Sequence, residues 1–477
     1  MVYDIAIIGA GVIGAFTARE LSKYNLNILL IEKENDVSCG ASKANSGIVH
    51  GGFDPDPDTL KALMNSRGVP LLYEAAEKLK VPILNNGSFV CAFDSEGEKE
   101  LDALHERAIK NNIPQVEIIS GDKAREEEPA LSEKITKVLV SRTAGIISPY
   151  ELCIAAVGNA MKNGVELRRN FEVAHIDKND SIFVISSVEG ERAEAKRIIN
   201  CAGCLSGKIA SLCGDDSIEI IARKGEYMLL DKTEGNLVKH TIFQIPTKSG
   251  KGVLVTPTVH GNLLVGPTAE AVDSPEFTDT TAQGLETIKR KAGLSSEKVD
   301  YRAVITSFTG VRASISSGDF IIEPSKKVDG LFNIAAIDSP GLTSCVAIAQ
   351  YAVDELKSDG LELIAKQNWD GEMDDPNFFS KMSTDEKNEF IKKNSLYGKM
   401  VCRCEQVTEG EIRAAIRREP RPCDIDGIKR RTRSSMGRCQ GGFCVPTLMR
   451  ILSEETGIPM EQITKKGKAS EILSGKL

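Results

Sequence analysis

The sequence predicts a mixed α/β and α+β chain that ends in a small, chemically distinct region, and three observations carry that prediction. A glycine-rich turn links two short apolar runs of β type at the amino end. Strand-like runs and helical periods then alternate, with no internal repeat, to about residue 364. Five of the twelve cysteines fall within residues 402–444, behind a polar stretch: Cys402, Cys404, Cys439 and Cys444, with Cys423 between them. At 477 residues the chain is roughly three times a common single domain, so two or three packed cores are expected.

Residues 3–8 read as a strand, 15–23 as a helix and 28–31 as a second strand, which together make a βαβ unit. Further strands are expected at 87–93, 182–187, 226–230, 252–256 and 262–265, where apolar runs are bounded by glycine or proline. Helical spacing of apolar residues falls at 60–79, 98–110, 149–162, 282–292 and 345–356. Between about 370 and 393 the chain turns polar and charged, and residues 366–397 are expected to be a linker or wrapping arm. Residues 398–477 then carry 16 Lys and Arg against 10 Asp and Glu, whereas the first 397 carry 44 against 58.

Composition narrows the function. Apolar residues at 41% and charged residues at 27% match a globular protein, and a net charge of −8 argues against a surface built to coat nucleic acid or an anionic membrane. No run of about 18 apolar residues occurs, so a membrane-spanning helix is not expected and any membrane contact would be indirect, through partners. The start, MVYDIAIIGAGVIGAF, lacks a basic flank and a cleavage site and is read as that of a mature cytoplasmic protein. Cys39, Cys91, Cys153, Cys201, Cys204, Cys213 and Cys345 lie in apolar stretches and read mostly as inert core thiols.

Gly9, Gly11 and Gly14 form G-x-G-x-x-G at the end of the first strand. Glycine there permits a tight turn and lets a pyrophosphate reach backbone N–H groups at a helix N-terminus. Glu32 follows Gly14 by 18 residues, at the end of the second strand, where a carboxylate accepts hydrogen bonds from ribose hydroxyls and disfavours a 2′-phosphorylated nucleotide. The motif does not choose between FAD and NAD. Residues 198–210 and 331–349 each read as a strand breaking into a glycine turn, and each can offer N–H groups to a second part of a long dinucleotide.

With the segments SKANSGIVHGGFDPDPDTLKA, RKGEY, GKGVLVTPTVHGNLLVGPTAE, SFTGVRAS and IDSPGLTS, residues 1–364 resemble the FAD-dependent oxidoreductases of the D-amino-acid-oxidase and glycerol-3-phosphate dehydrogenase superfamily. Glycerol-3-phosphate oxidases and dehydrogenases are the nearest likeness, and L-2-hydroxyglutarate dehydrogenases compete through the SGIVH-like and GEY-like segments. The resemblance implies a Rossmann-type FAD domain (about 1–75, 145–215 and 325–365) interleaved with an α+β antiparallel-sheet substrate domain (about 76–144 and 216–324). It also implies that Gly9, Gly11, Gly14, Glu32, Ser42, Val173, Gly203, Gly341, Leu342 and Thr343 touch FAD.

His50 lies among small residues in SGIVHGGF and can act as a base near neutral pH, although a loop histidine is more often structural. The resemblance favours the base, which takes a hydroxyl proton as hydride leaves the substrate carbon for the flavin. Arg312, after a glycine in SFTGVRAS, can grip the phosphate or carboxylate of a small anionic substrate through two parallel hydrogen bonds. Lys251, flanked by Gly250 and Gly252, can point at an anion or at the flavin. Ser339, before Pro340, is either a hydrogen-bonding group for substrate or a turn former.

Cys402 and Cys404 form a C-x-C pair, and Cys439 and Cys444 follow as C-x4-C. Four thiolates suit either a 2Fe-2S cluster or zinc, though C-x-C is cramped for two ligands on one tetrahedral zinc. Through VCRCEQVTEGEI and RRTRSSMGRCQGGFC, residues 399–452 resemble the bacterioferritin-associated-ferredoxin type of 2Fe-2S module found at the end of anaerobic glycerol-3-phosphate dehydrogenase large subunits, which implies a small, mainly helical domain over 398–477. Cys423 falls outside that pattern. The basic run Lys429, Arg430, Arg431 and Arg433, with Arg438, reads as a solvated face, or as a patch that raises the cluster potential and docks an acidic partner.

The resemblance implies an FAD enzyme that oxidises sn-glycerol 3-phosphate to dihydroxyacetone phosphate and passes electrons through the cluster to a partner subunit or a quinone. Two alternatives stay open: a 2-hydroxy acid such as L-2-hydroxyglutarate as substrate, and a non-catalytic assembly or electron-transfer subunit that holds flavin or zinc. Because His50, Arg312 and the glycine fingerprint all precede Ser395, removing the carboxyl-terminal region is expected to leave substrate-driven flavin reduction intact.

Overall fold

The glycine-rich turn joins two parallel strands, Val2–Ile8 and Ile28–Ile31, in the computed structural model, which describes residues 1–245 and 252–475. Val2–Ile8 also pairs in parallel with Arg192–Asn200, which pairs in parallel with Leu331–Ala335. These strands lie at the centre of an eight-stranded sheet among the described residues. One face, with Ile5, Ile7, Leu30, Ile199 and Ile334, is covered by the helices Val12–Leu21, Leu60–Leu79, Pro149–Lys162 and Gly341–Ser358. The other, with Ala6, Ile8, Leu29, Ile31 and Ile198, packs on Phe171, Phe183 and Ile185. Parallel strands buried on both faces carry no polar side, which is why they read as unbroken apolar runs.

A second sheet of nine strands is mainly antiparallel and draws on residues 88–141 and 221–314. Its longest pair, Ile221–Leu230 with Val304–Ser314, stays in antiparallel register along its length apart from one irregularity near Leu230. The sequence reading missed Val304–Ser314. Seven of its eleven residues are only partly buried, so it lacks the alternation of a half-buried strand.

Residues 366–397 form a docked arm rather than a spacer. Trp369 Nε1 donates to Ser22 Oγ at 3.1 Å, Arg19 donates to the Gly371 carbonyl at 3.0 Å, and Asn159 donates to the Asp370 carbonyl at 3.0 Å. The short helices Phe378–Lys381 and Thr384–Lys393 then gather Phe378, Phe379 and Phe390 around Tyr397. Beyond them the hairpin Met400–Cys402 with Val407–Thr408 and the helices Glu409–Arg417, Ile425–Thr432 and Val445–Thr456 enclose a core of Ile412, Ile428, Leu448 and Ile451. No helix among the described residues is long and apolar enough to cross a membrane.

Within the basic run, Arg430, Arg431 and Arg433 are not a solvated face but are tied inward, whereas Arg438 stays exposed. Arg430 and Arg431 are each 6% exposed and both donate to Asp36, which is fully buried, at 2.6–2.8 Å. Arg433 reaches Glu405 at 2.9 Å, the Tyr150 hydroxyl at 3.0 Å and Asn262 Oδ1 at 3.0 Å, and Arg438 pairs with Asp231 at 3.1 Å. Cys423 also serves this seam, its thiol donating to the Asn35 carbonyl at 3.2 Å. Burial alone would raise the Asp36 carboxyl, but the two guanidiniums overcome it and hold the group well below the usual carboxylate range.

Asp36→Asn leaves two buried guanidiniums without their counter-charge and is expected to lower stability by about 3–5 kcal/mol at neutral pH, read by denaturant unfolding. Because the folded pKa lies below the unfolded value of about 3.9, this contribution is present above that pH and is lost as pH falls toward the folded value. The gap between variant and parent should therefore hold from neutral pH to about pH 5 and narrow below about pH 4.

Candidate active site

The central strands run parallel, so the turns that leave their carboxyl ends gather along one edge of the sheet. Gly9 sits at φ +108°, and a Cβ there would lie 2.5 Å from the Cys201 carbonyl oxygen. A Cβ on Gly14 would lie 1.9 Å from the Gly9 carbonyl oxygen, so helix and strand approach each other only because both residues are glycine. Gly11 is the N-cap of Val12–Leu21, and the Val12 N–H donates to Ser42 Oγ at 2.8 Å. Glu32 accepts from the Ala10 N–H on one oxygen at 2.9 Å and from the Glu34 N–H on the other at 3.0 Å. Burial raises its pKa while these N–H groups oppose the rise, and each oxygen keeps a further lone pair for a hydroxyl.

These turns border a cavity of about 1540 Å³, above the roughly 300–1,000 Å³ of a single small-molecule pocket. Gly9, Gly11, Glu32, Ser42, Val173, Gly203, Gly341, Leu342 and Thr343 all line it, as do His50, Arg312 and Ser339. Gly14 is absent from the lining and makes the close packing just described. Lys251 lies outside the described residues.

His50 follows the short strand Ile48–Val49 and is held through its backbone. Its N–H donates to Thr343 Oγ1 at 2.8 Å, and its carbonyl accepts from Asn65 Nδ2 at 2.9 Å. The ring stands between Phe53 and Phe243, with centroids 5.0 and 5.9 Å away. The Gly52 N–H approaches Nδ1 at 3.5 Å. Asn65 was missed in the sequence; its signal was a polar residue on the buried face of Leu60–Leu79. Also missed was the ion pair of Lys61 with Asp338 at 2.6 Å, which borders the same cavity and takes a hydrogen bond from Ser314.

Arg312 extends its guanidinium over Gly225, and a Cβ on Gly225 would lie 2.5 Å from Arg312 Nη2. The glycine of RKGEY thus keeps room for the arginine of SFTGVRAS.

Part of the cavity wall comes from the carboxyl-terminal module, through Lys429, Arg430, Arg433 and Met436. The Tyr150 hydroxyl accepts from Arg433 and faces Met436 Sδ at 3.6 Å, and the residue before Met436, Ser435, places its hydroxyl 3.3 Å from Cys444 Sγ. The module therefore supplies part of the cavity wall as well as the counter-charges of Asp36, a dependence that sequence order does not show.

The four cysteines meet as two pairs that cross their sequence spacing. Cys404 Sγ donates to Cys439 Sγ at 3.6 Å, and the Cys444 thiol hydrogen-bonds to Cys402. That bond brings Cys402 down to about 6 against its burial and pushes Cys444 up. Burial works against the Cys439 thiolate, yet the Gly441 N–H and the Cys404 thiol outweigh it. Among the described residues no three His, Cys, Asp or Glu side chains are grouped to hold a single metal ion, whereas two pairs of thiols suit a cluster in which four thiolates serve two irons.

The sequence model of a family described as FAD dependent oxidoreductase matches residues 4–355, and one described as BFD-like 2Fe-2S binding domain matches residues 400–454. The chain is 46% identical over 473 residues to a glycerol 3-phosphate dehydrogenase of Caloramator mitchellensis, covering 99% of this chain and 98% of that protein. It is 34% identical to a glycerol 3-phosphate oxidase of Mycoplasma genitalium over 77% of this chain and 97% of the relative. Among solved structures, dithionite-reduced L-α-glycerophosphate oxidase of Mycoplasma pneumoniae with FAD bound matches at a TM-score of 0.75 and 30% identity, over 78% of this chain and 98% of that one.

Glu32→Ala removes a carboxylate on the cavity wall and frees the Ala10 and Glu34 N–H groups that hold the turn. FAD affinity is expected to fall by about 10- to 100-fold, the worth of a charge-assisted hydrogen bond, read as flavin absorbance retained through dialysis.

Proposed function

The chain belongs to the FAD-dependent oxidoreductase family, and on that premise we propose that it oxidises sn-glycerol 3-phosphate to dihydroxyacetone phosphate, with the electrons leaving through the carboxyl-terminal 2Fe-2S module to a separate acceptor. The observation that carries this reading is the single cavity that His50, Arg312 and Ser339 share with Glu32 and the glycine turns. Relatives named glycerol 3-phosphate dehydrogenase and oxidase support the choice of substrate. The cysteine module supports a dehydrogenase, because it offers electrons an exit other than dioxygen.

Bound FAD supplies the two-electron acceptor for the hydride from C2 of the substrate. His50 takes the C2 hydroxyl proton. Its backbone is clamped by Thr343 and Asn65, so the ring is positioned before substrate arrives, and Phe53 and Phe243 shield it from water. Arg312 grips the phosphate, with Gly225 leaving it space. Ser339 offers a hydroxyl to the polyol end from the same wall as Leu342 and Thr343. Cys402, Cys404, Cys439 and Cys444 would hold the cluster; Ser435 lies beside Cys444 Sγ, and the next residue, Met436, lines the cavity.

Glycerol 3-phosphate is expected to bleach the flavin under anaerobic mixing. His50→Ala should slow that reduction by about 10²- to 10⁴-fold, the usual worth of a positioned base, while Arg312→Ala should chiefly raise the half-saturating concentration. Bleaching by L-2-hydroxyglutarate without bleaching by glycerol 3-phosphate would replace the proposed substrate. Anaerobic preparations should hold about two irons per chain, and Cys402→Ala should lose them; one zinc and no iron would reassign the module as a structural clip.

A further inference from the structure

Arg312 does not stand alone. The register of Ile221–Leu230 against Val304–Ser314 puts Arg223 directly opposite it. Residues directly opposed on an antiparallel pair present their side chains to the same face, with Cβ atoms about 4.5–5.5 Å apart. That face fronts the cavity: Arg223, Tyr227 and Leu229 line it from one strand, Phe308 and Arg312 from the other. Tyr227 stacks on Phe308 at 4.8 Å and makes the floor beside the two arginines.

The charge of this pair is not balanced by its surroundings. Among the described residues, no carboxylate oxygen comes within 4.0 Å of either guanidinium. The nearby carboxylates are engaged elsewhere, since Lys224 pairs with Glu226 at 3.1 Å and with Glu270 at 3.4 Å. Glu226 is occupied further by the N–H and hydroxyl of Thr281. Like charges directly opposed across a ladder are destabilising, so the arrangement costs stability unless an anion neutralises both.

We propose that Arg223 is a second phosphate-binding residue, and that Arg223 and Arg312 together select a dianionic phosphate monoester over a single carboxylate. A guanidinium presents a planar fork of donors, so two forks suit the several oxygens and double charge of a phosphate, whereas one fork satisfies a carboxylate. Arg312, partly buried over Gly225, reaches from the inner wall, and Arg223, exposed, closes on the anion from the rim. The identity of the substrate rests on the function proposed above; the arginine pair itself rests on strand register and charge.

The test uses the FAD-loaded full chain without oxygen. In Arg223→Gln, half-saturation by glycerol 3-phosphate is expected to rise about 10- to 100-fold, with the limiting rate of flavin reduction nearly unchanged. Arg223→Lys, which restores the charge without the fork, should fall between. Neutral glycerol, used as a poor substrate, should respond equally in parent and variant. Inorganic phosphate should raise the thermal midpoint of the parent more than that of Arg223→Gln, and in phosphate-free buffer the variant should be at least as stable as the parent because the like-charge opposition is gone. Unchanged half-saturation together with an unchanged phosphate shift would overturn the proposal, as would equal weakening toward glycerol. If glycerol 3-phosphate fails to reduce the parent flavin, the proposed function fails, and the phosphate shift alone still decides for or against the arginine pair.

Discussion

The buried carboxylate of Asp36, held between Arg430 and Arg431, is the interaction on which the arrangement of the molecule turns. Asp36 lies four residues beyond Glu32, on the segment that leaves the second strand of the βαβ unit. One end of that segment is fixed by the bonds of Glu32 to Ala10 and Glu34, and the other by the guanidiniums of the cysteine module. Taking three charges out of water is costly, and an apolar seam of the same shape is often as stable or more so. What the charged seam adds is position: the planar donors of Arg431 meet both oxygens of Asp36, so the module docks in one orientation.

That orientation makes the module part of the cavity wall. Arg433 is bonded at once to Glu405 of its own module and to Tyr150 and Asn262 of the body of the protein, while the next turn of chain carries Met436 to the cavity and Ser435 to Cys444. The inner end is tied with equal economy. Thr343, in the first turn of Gly341–Ser358, accepts the His50 N–H, so a helix start that fronts the dinucleotide space also holds the candidate base. Nucleotide turn, base and cysteine module are thus linked by short, buried hydrogen bonds rather than by flexible tethers.

The parts of this design that were legible in the sequence are those written in local patterns. The βαβ unit, Glu32 and the helices Leu60–Leu79 and Pro149–Lys162 follow from apolar period and spacing, because both faces of the parallel strands and one face of each helix are buried. Val304–Ser314 escaped because a strand that borders a cavity has no dry face to impose alternation. The basic run was misread because its counter-charge, Asp36, stands 395 residues before Arg431. Arg223 had no signal of its own: only the register of two strands shows that it faces Arg312. The role of Asn65 likewise needed the fold, although its place on an apolar helix face was visible. The packing role of Gly14, which lets helix and strand close together, also needed the fold.

The central claim is that substrate oxidation and cluster reduction belong to one rigid chain. Its most direct measurement is anaerobic rapid mixing of the FAD- and iron-loaded protein with glycerol 3-phosphate, following flavin bleaching by absorbance and the reduced 2Fe-2S cluster by freeze-quench electron paramagnetic resonance, across a range of protein concentrations. Transfer within one chain predicts that the cluster signal grows in behind flavin bleaching at a rate independent of protein concentration. A cluster that stays oxidised beside fully bleached flavin, or one whose reduction rate scales with protein concentration, would contradict it.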